Sequence, residues 1–181
     1  MHNMEKKELR KIIRDRKRQY SSSQLEELSL SVLSRLSKNP HLQNAHTILM
    51  YYSLPDEVDT HQYIDYLITQ GKQVLLPEVI DNEHMIIRKY TGKQDLKEGA
   101  FHIMEPIGSI LPEEKYDEIE VGIIPGMSFD AKCNRLGRGK GYYDRFLEKV
   151  PQMYKIGICF DFQKEESIPT QETDIKMNEI V

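Results

Sequence analysis

Residues 47–76 read TILMYYSLPDEVDTHQYIDYLITQGKQVLL. The first six are apolar, β-branched or aromatic, the composition of a buried strand. A loop over 53–59 follows, carrying Pro55 and the acids Asp56, Glu57 and Asp59. Tyr63, Ile64, Leu67 and Ile68 then recur at helical spacing, which predicts a helix over about 60–69 that Gly71 stops. A second apolar run begins at Gln73 and ends at Leu76. A helix between two apolar strands is the βαβ unit, and its strands lie parallel in one sheet. The fold class expected from this segment is therefore α/β: a three-layer α/β/α sandwich with a mainly parallel central sheet.

The flanks extend the same plan. Upstream, residues 4–19 read as a helix with Leu9, Ile12 and Ile13 on one face. A second helix opens at Ser22-Ser23, where Ser23 and Glu26 fit a capping box, and Asn39-Pro40 ends it. Downstream, a strand is expected over 84–90. The stretch 91–117 has little periodicity and reads as a long surface connection over a cleft. A strand over 120–124, a helix over 141–150 and a strand over 154–160 complete the chain. With 181 residues, 39% of them hydrophobic, the expectation is one domain spanning 1–181 with a real core.

Composition excludes several classes. No run approaches 18 apolar residues, so a transmembrane helix is not expected, and the first twenty residues lack the apolar core of a signal peptide. A cytoplasmic protein is the expectation. Cys133 and Cys159 form no CxxC pair, and the six histidines form no HExxH-like ligand pair, so no zinc site is expected. Net charge is −4, but residues 5–18 hold eight Lys/Arg against three Asp/Glu, which leaves −9 on the rest. An acidic remainder repels a long phosphate backbone, so the basic segment suits a small anion better than a nucleic acid.

The chemistry concentrates at residues 135–144, RLGRGKGYYD. Gly137, Gly139 and Gly141 alternate with Arg138 and Lys140, between a predicted strand and a predicted helix. Glycines let a backbone approach a ligand and present its N–H groups, and the cations add formal charge, so the loop reads as an anion cradle. The alternative is a basic turn on a solvated surface. Three cations in six residues with no compensating acid repel one another, which weighs against that alternative. The loop is not a Walker A motif, because Asn134 and Gly141 stand where its first glycine and its Ser/Thr belong; nor is it GxGxxG, because Tyr142 stands at the third glycine. Asp144 falls in the first turn of the expected helix, where a carboxylate suits either a magnesium ion beside a phosphate or the helix dipole.

The run IPGMSFD over 124–130, followed by NRLGRGKGYYD over 134–144, resembles the signature of the 5-formyltetrahydrofolate cyclo-ligases. Lys6-Lys7-Glu8-Leu9-Arg10, Asp56-Glu57-Val58-Asp59-Thr60, Glu105-Pro106 and Phe160-Asp161-Phe162-Gln163 match further family patterns. His102 stands where relatives often carry glycine, and Thr173 where they often carry histidine. The resemblance implies an enzyme that converts 5-formyltetrahydrofolate and ATP to 5,10-methenyltetrahydrofolate, ADP and phosphate, with Mg2+, through a phosphorylated formyl group. ATP-binding would fall to Lys6, Lys7, Glu8, Leu9 and Arg10, and to Arg135, Leu136, Gly137, Arg138, Gly139, Lys140, Gly141, Tyr142 and Tyr143. The folate would meet Tyr52, Glu57, Arg138, Gly139, Lys140, Gly141 and Tyr142. Asp144 and Asp174 would serve magnesium, and Arg138, Lys140 and Tyr142 would carry catalysis. The implied partners are ATP and a folate, including polyglutamylated forms, taken by a monomer with no nucleic acid and no membrane.

Two other readings fit the loop. An α/β isomerase or transferase acting on sugar phosphates or CoA esters would hydrolyse no ATP. An RNA-binding module built on the basic helix would show a steep salt dependence, but it lacks the aromatic pattern such modules use.

Overall fold

Strand formation follows from apolar runs that are buried on both sides. Thr47–Leu49 forms β1, and Ile48 faces one layer while Leu49 faces the other. The same alternation separates Val74 and Leu76 from Leu75, and Ile123 from Ile124. Strands apolar on both faces belong in a parallel sheet covered by helices.

The structure, a computed structural model, describes residues 4–181; His2 lies outside them. In chain order the helices are α1 (Lys6–Lys17), α2 (Ser22–Ser37), α3 (Pro40–Asn44), α4 (His61–Thr69) and α5 (Tyr142–Leu147). The strands after β1 are β2 (Gln73–Val79), β3 (Met85–Tyr90), β4 (Leu96–Glu98), β5 (Met104–Pro106), β6 (Ile110–Leu111), β7 (Val121–Ile124), β8 (Ser128–Phe129), β9 (Arg135–Leu136), β10 (Tyr154–Gly157) and β11 (Glu179–Ile180). The main sheet has the order β11-β10-β7-β1-β2-β3-β6. Its first five strands run parallel, and β3 and β6 add an antiparallel edge. One face packs on α2, α3 and α4 through Leu25, Val32, Leu36, Leu42, Ile64 and Leu67; the other packs on α5 and the turn at 113–118 through Phe146, Leu147 and Tyr116. This is the three-layer sandwich with a mainly parallel sheet.

The chain runs from β1 to β2 on one side and later from β7 to β10 on the other. Strand order therefore reverses between β1 and β7, and open α/β sheets place ligands beyond the carboxyl ends of strands at such a point.

Several local expectations are corrected. The capping box of α2 is made by Ser21 and Gln24, not Ser23 and Glu26: Ser21 Oγ accepts from the Gln24 N–H at 3.2 Å, and Gln24 Oε1 accepts from the Ser21 N–H at 2.7 Å. The run of three serines offers equivalent caps, and the helix begins early enough to use the first. Asn39-Pro40 does not simply end α2. Asn39 Oδ1 accepts from the N–H groups of His41 and Leu42, and Pro40 opens α3 from a position where it gives up no helical hydrogen bond. The connection 91–117 contains the antiparallel hairpin β4–β5 and the edge strand β6. At its tip Phe101 and His102 adopt φ of 56° and 59°, the left-handed region that glycine enters most easily. The expected strands over 47–52 and 154–160 leave the sheet early, at Leu49 and Gly157, and the expected helix over 141–150 is confined to Tyr142–Leu147.

Between β7 and α5 the chain folds into a small hairpin, β8–β9, that the sequence did not announce. Asp130 anchors its turn. This residue is 4% exposed and accepts four hydrogen bonds of 3.0 Å, from the N–H groups of Lys132, Asn134 and Ile168 and from Asn134 Nδ2. It thereby ties the hairpin to the segment that carries Pro169 to Asp174. Among the described residues no helix is long and apolar enough to cross a membrane.

Candidate functional site

A cavity of about 1340 Å³ opens beyond the carboxyl ends of β1, β2 and β7. Its walls come from six places: the start of α1, the segment after β1, the β2–β3 junction, β5, the loop 135–145 and the segment 169–174. It is also lined by Tyr51-Tyr52 and Pro125-Gly126, where β1 and β7 have left the sheet, and by Pro77 within β2.

The loop is shaped by its glycines. Gly139 and Gly141 sit at φ of 106° and 73°, which a side-chain-bearing residue adopts only with strain. Arg10 on α1 braces the loop: its Nε donates to the Gly137 carbonyl at 2.8 Å, and its guanidinium lies against Gly139. Burial lowers the Arg10 pKa, with Arg14 adding to the effect and Asp174 opposing it. Arg135 is buried beneath the loop. Its Nε donates to the Pro125 carbonyl at 2.7 Å and its guanidinium lies 4.9 Å from the centre of the Tyr143 ring. Burial lowers its pKa while Asp144 opposes that, and burial likewise raises the Tyr143 phenol well above its ordinary value.

The absence of a compensating acid, expected from the local sequence, is corrected by the tertiary structure. Arg138 Nη2 lies 3.4 Å from Asp56 Oδ1 and 3.5 Å from Glu57 Oε2, both on the loop after β1. Lys17 reaches the same Asp56 at 3.4 Å. Glu57 is held in turn by the Leu54 N–H at 2.8 Å. Lys140 is exposed and forms no ion pair among the described residues. Tyr52 stacks on His61 with ring centres 3.7 Å apart, and burial raises its pKa.

Asp144 and Asp174 both line the cavity. Asp144 Oδ1 accepts from the Ile175 N–H at 3.1 Å, while Asp174 Oδ2 takes Lys6 Nζ at 2.5 Å and the Gln171 N–H at 2.9 Å. Among the described residues no group of three or more His, Cys, Asp or Glu could hold a metal. A pair of carboxylates still fits magnesium, which is commonly bound by one or two carboxylates together with substrate phosphates and water.

Most of the expected site residues meet here: Lys6, Lys7, Arg10, Tyr52, Glu57, Arg135, Gly137 to Asp144, and Asp174 line the one cavity. Three do not. Leu9 and Leu136 are 1% exposed and pack with Ile13, Met127 and Ile168, so their side chains serve the core under the site. Glu8 is exposed and outside the cavity lining. A contiguous motif names a backbone stretch; the helix and the hairpin decide which of its side chains turn inward. Not expected as site residues were Tyr51, Met85, Met104 and Arg145, which also line the cavity, as does Pro106 of the Glu105-Pro106 pattern. Only Arg145, adjoining the glycine loop, carried a local signal.

The family model described as "5-formyltetrahydrofolate cyclo-ligase family" matches residues 2–181. The 5-formyltetrahydrofolate cyclo-ligase of Mus musculus is 30% identical over 99% of this chain and 94% of its own. That of Escherichia coli K12 is 31% identical over 94% of this chain and 96% of its own. The NMR structure of the Aquifex aeolicus 5,10-methenyltetrahydrofolate synthetase superimposes with a TM-score of 0.83 at 32% identity, covering 98% of this chain and 89% of that one.

Proposed function

The chain belongs to the 5-formyltetrahydrofolate cyclo-ligase family, and from that premise we propose how its cavity converts 5-formyltetrahydrofolate and ATP into 5,10-methenyltetrahydrofolate, ADP and phosphate. One observation carries the reading: the cationic glycine loop, the pair Tyr52 and Glu57, and the carboxylates Asp144 and Asp174 all face one cavity. Two substrates that must react with each other need a common volume with one end suited to phosphate and another to a heterocycle.

The folate sits with its pterin on the Tyr52 side. Glu57 accepts from the pterin N–H groups, and Tyr142 flanks the ring. The triphosphate lies along the loop from Gly137 to Gly141, with Lys6 and Arg10 at its other side, so that α1 is part of the ATP site within one catalytic domain. The formyl oxygen is a poor leaving group. It attacks the γ-phosphorus, ADP departs, and the formyl carbon becomes an iminium phosphate. N10 of the folate then attacks that carbon and loses its proton, the ring closes, and phosphate leaves with the former formyl oxygen. Such a transfer needs positioning and charge neutralisation rather than a protein nucleophile. Lys140 and Arg138 supply the charge. Arg138 is drawn from Asp56 and Glu57 toward the phosphates, which leaves Glu57 for the folate.

Asp144 and Asp174 would hold magnesium, which when bound neutralises and orients the phosphates. Lys6 then exchanges its Asp174 partner for a phosphate oxygen. Protein mixed with Mg2+, ATP and 5-formyltetrahydrofolate is expected to develop the near-ultraviolet absorbance of the methenyl product. A flat trace from folded protein would sink the reading. Asp144→Asn is expected to raise the Mg2+ concentration needed for half-maximal rate; an identical Mg2+ titration removes Asp144 from that role.

A further inference from the structure

Arg145 lines the cavity, and neither the motif nor the mechanism above employs it. It stands on α5, just after the loop, and makes three contacts, one with the β2–β3 turn and two with its own loop–helix junction. Its Nε donates to the Glu83 carbonyl, in the turn between β2 and β3, at 2.7 Å. Its Nη2 donates to the Lys140 carbonyl at 2.7 Å. Its guanidinium carbon lies 5.5 Å from the centre of the Tyr142 ring. A methyl group on Gly141 would come within 2.7 Å of its Nη1, so this exposed side chain lies close over the glycine.

We propose that Arg145 is a positioning residue for the transfer step: it fixes the Lys140–Gly141 peptide and thereby aims the Lys140 ammonium and the Tyr142 ring at the reacting groups. The inference rests on the cyclo-ligase reading and adds a residue to it. A trans peptide is planar, so holding its carbonyl also fixes the direction of the next N–H. Here that peptide joins Lys140 to Gly141, which sits at φ of 73°, and Gly139 at φ of 106° precedes Lys140. Its rotation is set by ψ of Lys140 and φ of Gly141, and the glycine, lacking a Cβ, leaves the second of these permissive. Gly137 is braced separately, by Arg10 at 2.8 Å. Arg145 is thus the brace for the half of the loop that carries Lys140. Because it also holds the β2–β3 turn, it ties the loop to the segment that carries the cavity residues Val79 and Met85.

The planar fork is essential to this role, since one guanidinium must serve two carbonyls and a ring face at once. A lysine keeps the charge and lacks the fork. Positioning lost at a reacting centre shows in turnover rather than in binding. The test measures steady-state kinetics and thermal stability of wild type, Arg145→Ala and Arg145→Lys, with and without added guanidinium ion at low millimolar concentration. The expected result for Arg145→Ala is a fall in kcat of about 10- to 100-fold, as for misplacement of a catalytic group. KM for ATP and for the folate should stay within about threefold. Added guanidinium is expected to restore part of the rate to Arg145→Ala, while Arg145→Lys stays slow. Three results overturn the proposal: an unchanged kcat; full activity in Arg145→Lys, which would make charge alone sufficient; or a loss that tracks lowered thermal stability and ignores guanidinium. Wild-type protein that makes no methenyl product overturns the cyclo-ligase reading itself, a result distinct from active wild type with active Arg145 variants.

Discussion

Lys140→Ala is expected to lower turnover by about 10²-fold or more, the usual consequence of removing one group aimed at charge that develops in a transition state. The cations around the cavity differ in what already holds them. Arg135 is buried and donates to the Pro125 carbonyl; Arg10 braces Gly137; Arg138 is shared between Asp56 and Glu57; Lys6 is bound to Asp174. Lys140 forms no such pair among the described residues and needs to leave no partner in order to meet a phosphate. Since the side chain is exposed, its removal should shift stability by no more than about 0.5 kcal/mol. The loss should therefore appear in kcat with the melting temperature unchanged. A variant that turns over at a near-wild-type rate removes Lys140 from its assigned role.

Asp130→Ala is expected to destabilise the protein by about 2–4 kcal/mol, because four donors lose a buried charged acceptor. For a chain of this length that corresponds to a melting temperature lower by roughly 5–15 °C. Activity should fall too, since Asp130 holds both the hairpin that leads into the glycine loop and the segment that leads to Asp174. The effect depends on pH. Burial pushes the Asp130 pKa up, but hydrogen bonds from the Asn134 side chain and from the N–H groups of Asn134, Ile168 and Lys132 outweigh it, and the net shift is downward. A carboxyl whose folded pKa is lowered contributes stability that is fully present above its unfolded pKa of about 3.9 and is lost as pH falls through the folded value. Wild type should accordingly lose this contribution in acid below about pH 4. Asp130→Ala, already without it at pH 7, should show a shallower acid decline. Melting curves at pH 7 and in this acid range check both statements, and equal melting temperatures at pH 7 refute the first.

The parts of the fold that were legible in sequence are those where one periodicity persists long enough to be read. The βαβ unit from β1 to β2 and the helices α1, α2 and α4 belong to this class, and β7 and β10 were found as apolar runs. Strands β8, β9 and β11 are two residues long and carry no period at all. They exist because Asp130 and the neighbouring parallel strand β10 hold them, which are tertiary causes. The site divides along the same line. Its glycines and cations are contiguous, so the loop announced itself. The acids that face Arg138 lie 82 residues upstream at Asp56, and the carbonyl that receives Arg145 lies 62 residues upstream at Glu83; neither spacing has a signature. Leu9 and Leu136 show the converse failure, in which a motif includes residues whose side chains the fold turns away from the ligand.

The ion pair between Lys6 and Asp174 joins residues 168 apart, and the bond from Arg10 to Gly137 spans 127. During synthesis the amino-terminal residues leave the ribosome first. Helix α1 thus emerges with its lining of cations facing nothing, while β1, α4 and β2 have local partners and pair early. The end of the cavity lined by Lys6 and Asp174 is completed only when residue 174 arrives. Long-range contacts of this kind also slow folding, because much chain must be ordered before they can form. A nascent or clipped chain that ends short of residue 174 can own its sheet and its glycine loop and still lack the carboxylate that holds Lys6. Closure of this end of the cavity is in this sense a late event in the life of the chain, set by the contact of residue 174 with residue 6.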